Sequence, residues 1–354
     1  MTEHDFPLAL SYDDVLLVPS YSEITSRSQV STKTKLSEKL TLEIPLISIN
    51  MDTVTGVEMA IKMSELGGLG LIPRFDAPGI QAEKVTKVKK AGQRVGAALG
   101  CKEGFLERAE ILVNSGADLL TIDVAHGHMK KALEATSDLK NRFGDLITIM
   151  SGVVATYEGA KDHFMYGADV VRVGVGPGTI CTTRVETGFG VPQITAISEA
   201  ARAAREAGKV IVSDGGATTS GHIVKALAAG ASAHIAGSIY AGTDEAPGEK
   251  VEIDGKIYKE YNGSTSKKEK LRQIEKDNSD KDHSYAKHIE GVEAFVPYKG
   301  PVSEIVEKYV HNIRSGLSYA GAENIPDLWK KAKFIRITGA GFKESQAHDV
   351  VLIR

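Results

Sequence analysis

Two cysteines in 354 residues, Cys101 and Cys181, are too few for a disulfide framework or a four-cysteine zinc site, so each thiol is either core filler or a reactive group. No apolar run approaches the roughly 18 to 20 residues needed to span a bilayer. Basic charge is not in surplus either: 43 Lys+Arg stand against 46 Asp+Glu, a net charge of −3. The electrostatic footprint of a nucleic-acid binder is missing, and neither nucleic acid nor membrane is an expected partner. Residues Met1 to Leu8 carry acidic side chains and lack the apolar centre of a secretory signal, so the expected compartment is the cytoplasm. What remains, 42% hydrophobic and 25% charged, fits one large α/β domain or two smaller ones.

Short apolar, β-branched segments recur through the first two-thirds of the chain, each followed by helical spacing and a glycine near the next segment. Eight are present, at roughly Ile44 to Ile49, Gly68 to Pro73, Arg94 to Leu99, Leu119 to Val124, Leu146 to Gly152, Val170 to Gly174, Val210 to Asp214 and Ala233 to Gly237. Most are apolar throughout instead of alternating, as parallel strands covered on both faces must be. Eight strand–helix units predict an α/β fold, a (β/α)8 TIM barrel. The alternative, an open doubly wound sheet, would open on a GxGxxG fingerprint that the first unit does not have.

Residues 1 to 43 form a lead-in. A long insertion, about 239–300, follows the eighth strand as a lid. Within it, Asn262 to Glu290 carries seven basic and six acidic residues and almost nothing to bury, which predicts a mobile segment, either a disordered spur or a lid over a barrel active site, the lid being the favoured reading. A helix is expected from Pro301 through Ser315, a second near Asp327 to Lys333, and a strand at Phe334 to Ile337. The whole of 1–354 then reads as a single catalytic barrel domain.

Chemistry concentrates at the expected C-terminal ends of the strands. Gly174-Val175-Gly176-Pro177-Gly178-Thr179-Ile180-Cys181-Thr182-Thr183-Arg184 follows the sixth, and its glycines let the backbone turn tightly and present amides or carbonyls to a ligand. A nucleophile fits at Cys181, with hydroxyls beside it; a buried, inert thiol is the other reading. Cys101 has no glycine nest or hydroxyl cluster and reads as structural. Ser213-Asp214-Gly215-Gly216 after the seventh strand and Ala236-Gly237-Ser238 after the eighth fit the phosphate cradle that barrels build there; the other reading is that the glycines merely turn the chain and Thr218 or Ser220 caps a helix. Asp214 would repel a phosphate and so reads as the acceptor for a sugar hydroxyl. Asp123-Val124-Ala125-His126-Gly127-His128 ends the fourth strand; two imidazoles there need a further ligand from another strand to hold a metal, so Asp123 reads as facing a cofactor. Lys84 to Lys90 reads as the solvated face of a helix.

The cysteine loop closely resembles that of the inosine-monophosphate dehydrogenase and guanosine-monophosphate reductase superfamily, GxGPGSICTTR. The resemblance extends, in order, to Tyr12-Asp13-Asp14-Val15-Leu16-Leu17, Asn50-Met51-Asp52-Thr53, Gly67-Gly68-Leu69-Gly70, Gly190-Val191-Pro192-Gln193, Glu245-Ala246-Pro247-Gly248-Glu249, Val296-Pro297-Tyr298-Lys299-Gly300 and Gly339-Ala340-Gly341-Phe342-Lys343-Glu344-Ser345. It implies that Cys181 attacks purine C2 of a purine nucleoside 5′-monophosphate, with Thr183 beside the adduct and Glu290 relaying protons, while a hydride passes between C2 and NAD or NADP. It further implies that Asp214 holds the ribose, that Thr179, Gly215, Gly216, Gly237, Ser238, Tyr261 and Gly263 bind the nucleotide, and that Asp123 and Gly174 face the cofactor. The carbonyls of Gly176, Gly178 and Cys181, with Glu344 and Ser345 of a neighbouring subunit, resemble the family's monovalent-cation (K+) site, which implies a homotetramer.

Departures from the family bear on the reaction. Dehydrogenases usually insert a pair of CBS modules between the second helix and third strand, where Lys90-Ala91-Gly92-Gln93-Arg94 here runs straight on. They also use an Arg-Tyr pair on the lid to hydrolyse the covalent intermediate; between Tyr261 and Gly291 the only arginine is Arg272, and the nearest aromatic candidate is Tyr285. Asn50, Pro73-Arg74-Phe75 and Asp123-Val124-Ala125 lean to GMP reductases. Lid length and the Glu-Ala-Pro-Gly-Glu and C-terminal motifs lean to dehydrogenases, and the sequence as a whole leans the same way.

Overall fold

The computed structural model describes residues 6–144, 146–277, 287, 289–347 and 350. Eight parallel strands close into a barrel: β1 (Leu46–Ser48), β2 (Leu69–Ile72), β3 (Gly96–Leu99), β4 (Leu119–Ile122), β5 (Thr148–Val154), β6 (Val170–Val173), β7 (Val210–Asp214) and β8 (Ala233–Ala236). The order runs β1 to β8 around the ring, with β8 pairing β1 through His234 and Leu46. All eight segments expected from the apolar runs are strands. The fifth is displaced by two residues, because Leu146 is 77% exposed in the turn before it.

Crossover helices cover the outside: α1 (Val57–Glu65), α2 (Pro78–Lys90), α3 (Phe105–Asn114), α4 (Lys130–Phe143), α5 (Tyr157–Met165), the short α6 (Thr183–Thr187), α7 (Gln193–Ala207) and α8 (Ser220–Ala228). Thr219, not Thr218 or Ser220, caps α8: its hydroxyl accepts the His222 amide at 3.2 Å, as an N-cap residue in extended conformation does. Cys101 is buried in the apolar layer between strands and helices.

The lead-in closes one end of the barrel. Thr34–Lys35 and Thr41–Leu42 pair as a hairpin whose Leu36, Leu40 and Leu42 join Leu69, Leu119, Val170 and Val212 in one interior cluster. Leu119 and Val170 begin their strands, and Ser37 Oγ lies 2.7 Å from the hydroxyl of Thr148, the first residue of β5, so the plug sits at the N-terminal end. Each plug leucine is at most 2% exposed, and such burial contributes about 1.5–3 kcal/mol per side chain. Further upstream, Val15–Leu17 pairs antiparallel with Phe334–Arg336, clasping the two ends of the chain together.

The described part of the insertion holds more regular structure than its composition predicts. Its strands β9 (Lys250–Ile253), β10 (Lys256–Asn262) and β11 (Glu293–Pro297) form an antiparallel sheet, the first pair joined by a tight Asp254-Gly255 turn with both residues at positive φ. Helix α9 (Lys267–Asp277) follows β10, and Ser266, Glu269, Lys270 and Gln273 are buried, so the described part of the segment buries more than the almost nothing expected of it. Polar pairing holds it: the Asn262 amide donates to Glu260 and Glu269, both at 2.9 Å, and the Gln273 amide donates to the Ser264 carbonyl at 2.8 Å. Tyr285 lies outside the described residues. The tail forms α10 (Val302–Tyr319), α11 (Ile325–Lys331) and α12 (Gly339–Glu344), and Gly316 of α10 lies so close to Val224 of α8 that a Cβ would come within 2.6 Å of it.

Candidate active site at the C-terminal end of the barrel

At the end of the strands opposite the plug, a cavity is walled by residues that follow β1, β2, β4, β6, β7 and β8. Fifteen of the expected site residues line it together: Asp123, Gly174, Gly176, Gly178, Thr179, Cys181, Thr183, Asp214, Gly215, Gly216, Gly237, Ser238, Tyr261, Gly263 and Glu290. Glu344 and Ser345 do not; α12 places them elsewhere in this chain. A larger hollow, about 1180 Å³, opens at the plugged end and gathers none of them. Two of its lysines, Lys140 and Lys209, pair with Asp169 at 3.3 and 3.1 Å, at the ends of α4 and α7, where helix carbonyls favour cations.

Glycine is obligatory in the cysteine loop. A Cβ on Gly174 would lie 2.2 Å from the Asp214 carbonyl, and one on Gly176, at φ 72°, 2.7 Å from the Arg184 side chain. Arg184 threads beneath the loop and donates to the carbonyls of Val175 at 3.2 Å and Val191 at 2.6 Å. The far end of the insertion is stitched to the same loop: the Thr182 amide donates to the Glu290 carbonyl, and the Val292 amide to that of Ile180, both at 3.0 Å. That stitching brings Glu290 to Cys181. Cys181 Sγ lies 3.2 Å from Thr183 Oγ1, which donates to Glu290 Oε2 at 2.7 Å, a continuous thiol–hydroxyl–carboxylate line.

Where the cradle is expected after β7 and β8, Gly215 and Gly216, both at positive φ, line the cavity with Gly237 and Ser238. Thr179 Oγ1 donates to Ser238 Oγ at 3.3 Å, and Lys299 Nζ holds the Ser238 carbonyl at 2.7 Å. Gly237 has no room for a side chain, since its Cβ would fall 2.5 Å from the Tyr261 hydroxyl. Burial pushes Tyr261 well above the ordinary phenol value, so that hydroxyl keeps its proton and can donate to an anion.

Beneath the cavity lies a group that the sequence reading missed. Arg172 of β6, 2% exposed, points its guanidinium at Asp214 Oδ2, with Nε at 3.1 Å and Nη2 at 2.7 Å, while Nη1 donates to Asn50 Oδ1 at 3.0 Å. Arg74 Nε donates to Asp123 Oδ2 at 3.0 Å. Burial alone would raise Asp123, but Arg74 and Arg172 outweigh it and hold the carboxyl below its ordinary value. Burial raises Asp214, and Arg172 opposes that rise only in part. One signal was available: Arg172 interrupts an otherwise apolar strand, Val170-Val171-Arg172-Val173, and a charge there needs a buried partner. Of the imidazoles after β4, His128 Nε2 lies 2.8 Å from Asp162 Oδ2; among the described residues no cluster of three His, Cys, Asp or Glu could hold a metal ion.

A family model described as IMP dehydrogenase / GMP reductase domain matches residues 9–348. The chain belongs to this family. Among curated relatives, the inosine-5′-monophosphate dehydrogenase of Nitrosopumilus maritimus is 36% identical across 99% of this chain and 100% of its own length, and that of Cryptosporidium parvum is 38% identical across 98% and 96%. Among solved structures, a cysteine-to-alanine variant of the GMP reductase from Trypanosoma brucei, in complex with guanosine 5′-monophosphate, superposes with a TM-score of 0.91 at 30% identity, covering 98% of this chain and 99% of that one. The protein is therefore an oxidoreductase of the IMP dehydrogenase/GMP reductase family on a (β/α)8 barrel. No helix among its described residues is long and apolar enough to cross a membrane.

Proposed function

We propose that the protein is of the IMP dehydrogenase type, converting IMP, NAD+ and water to XMP and NADH through a covalent adduct at purine C2. The observation that carries this reading is the line from Cys181 through Thr183 to Glu290, in a cavity that also offers an anion cradle. The names of the curated relatives support the dehydrogenase direction.

In this reading the phosphate rests on the amides of Gly215, Gly216 and Gly237 with the hydroxyls of Thr179, Ser238 and Tyr261, and Gly263 closes over the nucleotide. Asp214, its Oδ2 held by Arg172, accepts a ribose hydroxyl through Oδ1. The Cys181 thiol gives its proton through Thr183 to Glu290 and its sulfur bonds to C2. Loss of hydride from C2 leaves a thioimidate; water then adds to C2, one of its protons passing to N3 and the other to solvent, and the C–S bond breaks, releasing XMP and a thiolate that takes back the proton held by Glu290. A bound nicotinamide dinucleotide supplies the hydride acceptor. Asp123 suits its ribose, because a carboxylate kept ionised at the cavity wall calls for hydroxyl donors, and Gly174 lets the chain approach closely. The carbonyls of Gly176, Gly178 and Cys181, with Glu344 and Ser345 of a neighbouring subunit, are the proposed K+ ligands in a homotetramer.

One observation favours a second reading, GMP reductase, in which GMP and NADPH give IMP and ammonia. Arg272, the arginine available on the lid, is bound to Glu269 at 2.8 Å and lies 3.5 Å from Glu260 at the root of the insertion, and it does not line the cavity. The reductase needs no base for hydrolysis. Absorbance of reduced nicotinamide, followed in potassium buffer, decides between them: a rise with IMP and NAD+ alone supports the dehydrogenase, and a fall with GMP and NADPH alone overturns it in favour of the reductase.

A further inference from the structure

Four charged side chains alternate in sign along the floor of the cavity. Arg74 Nε lies 3.0 Å from Asp123 Oδ2, Asp123 Oδ1 lies 3.7 Å from Arg172 Nη1, and Arg172 Nη2 lies 2.7 Å from Asp214 Oδ2. Two arginines against two aspartates leave the row neutral. The two carboxylates belong to opposite ligands in the reading above, Asp214 to the nucleotide and Asp123 to the dinucleotide. Their shared partner is a single guanidinium.

We propose that Arg172 is a positioning residue that couples the two ligand sites, so that engaging Asp123 tightens the hold on the nucleotide through Asp214. This inference rests on the proposed placement of the two ligands. Arginine presents its donors in a planar, rigid fork. Nε and Nη2 are committed to Asp214, and Nη1 divides its pull among Asn50 Oδ1 at 3.0 Å, Thr121 Oγ1 at 3.5 Å and Asp123 Oδ1 at 3.7 Å. At 2% exposure water cannot take over either share, and the plane cannot turn toward one aspartate without turning from the other. A ligand that donates hydroxyls to Asp123 weakens its claim on Nη1, and the fork closes on Asp214. Asp214 is then fixed with Oδ1 toward the ribose. By linkage, the nucleotide must strengthen dinucleotide binding by the same factor.

Neutralising Asp123 imitates the bound dinucleotide. In Asp123→Asn, titrated calorimetrically with IMP and with GMP and no dinucleotide present, Kd for the nucleotide that binds is expected to fall about fivefold. General damage to the fold does not tighten binding. In Arg172→Met, nucleotide Kd rises, Arg172→Lys restores part of the loss, and adding Asp123→Asn to Arg172→Met no longer tightens anything. Where Arg172→Met does not fold, the same cycle runs on Arg172→Lys. An unchanged Kd in Asp123→Asn overturns the coupling, and so does a tightening that survives without the arginine, which is direct repulsion between Asp123 and the phosphate. If the parent protein binds neither nucleotide, the reading of the site itself is overturned.

Discussion

The two ends of the barrel are built from the same eight strands and have opposite interiors. At the N-terminal end the strand starts meet Leu36, Leu40 and Leu42, and the interior is apolar and closed. At the C-terminal end the side chains turning inward include Arg172 and Asp214, buried yet charged, with Asn50 and Asp123 beside them. The first arrangement holds the ring together through area removed from water. In the second, each buried charge is matched by another, which adds little net stability and fixes where the carboxylates point. Stability and chemistry therefore sit at opposite ends, and substitutions should separate them.

The largest separation is expected from Cys181→Ala. Turnover of either nucleotide should drop below detection, a loss of more than about 10⁴-fold, while nucleotide Kd and the urea midpoint hold. Retained turnover would remove Cys181 from the mechanism. Thr183→Val breaks the line to Glu290 while nearly keeping volume, and kcat should fall by about 10²–10⁴-fold with Kd little changed. The reverse pattern is expected from Leu40→Ala: a loss of about 2–5 kcal/mol in urea titration, with kcat of the folded fraction unaltered at low temperature. If kcat collapsed with it, the ends would not be independent.

Acid sharpens the comparison through two histidines remote from the cavity. Burial pushes His163 down to about 4 and His234 to about 3, and neither lines the cavity. Unfolded histidine titrates near 6.5, so below about that pH the unfolded chain takes up protons that the folded one refuses. Stability must fall as pH drops from about 6.5 toward 4, by on the order of 2 kcal/mol per histidine at pH 5. Equal urea midpoints at pH 7 and pH 5 would contradict it.

Much of this division was legible before folding was considered. Unbroken apolar runs mark strands covered on both faces, and the glycines of the cysteine loop and of Asp214-Gly215-Gly216 mark places where backbone approaches closely. The residues that escaped did so for one physical reason. Glu269, Lys270 and Gln273 of α9 are buried by polar pairing, and a pattern of apolar residues cannot report a helix that packs through carboxylates and amides. Arg172 is the same case inside the barrel: its partners come from the ends of β1, β4 and β7, and nothing in its own neighbourhood names them. The hairpin plug was hidden in the lead-in because its leucines find their partners far along the chain.

The clasp between Val15–Leu17 and Phe334–Arg336 sets a timetable for synthesis. A ribosome adding about 5–20 residues per second delivers the second strand roughly 15–60 s after the first. During that interval Val15, Leu16 and Leu17 emerge as an apolar edge whose partner does not yet exist, a target for chaperones or for a second nascent chain. The pairing thus waits until every strand of the barrel has been made.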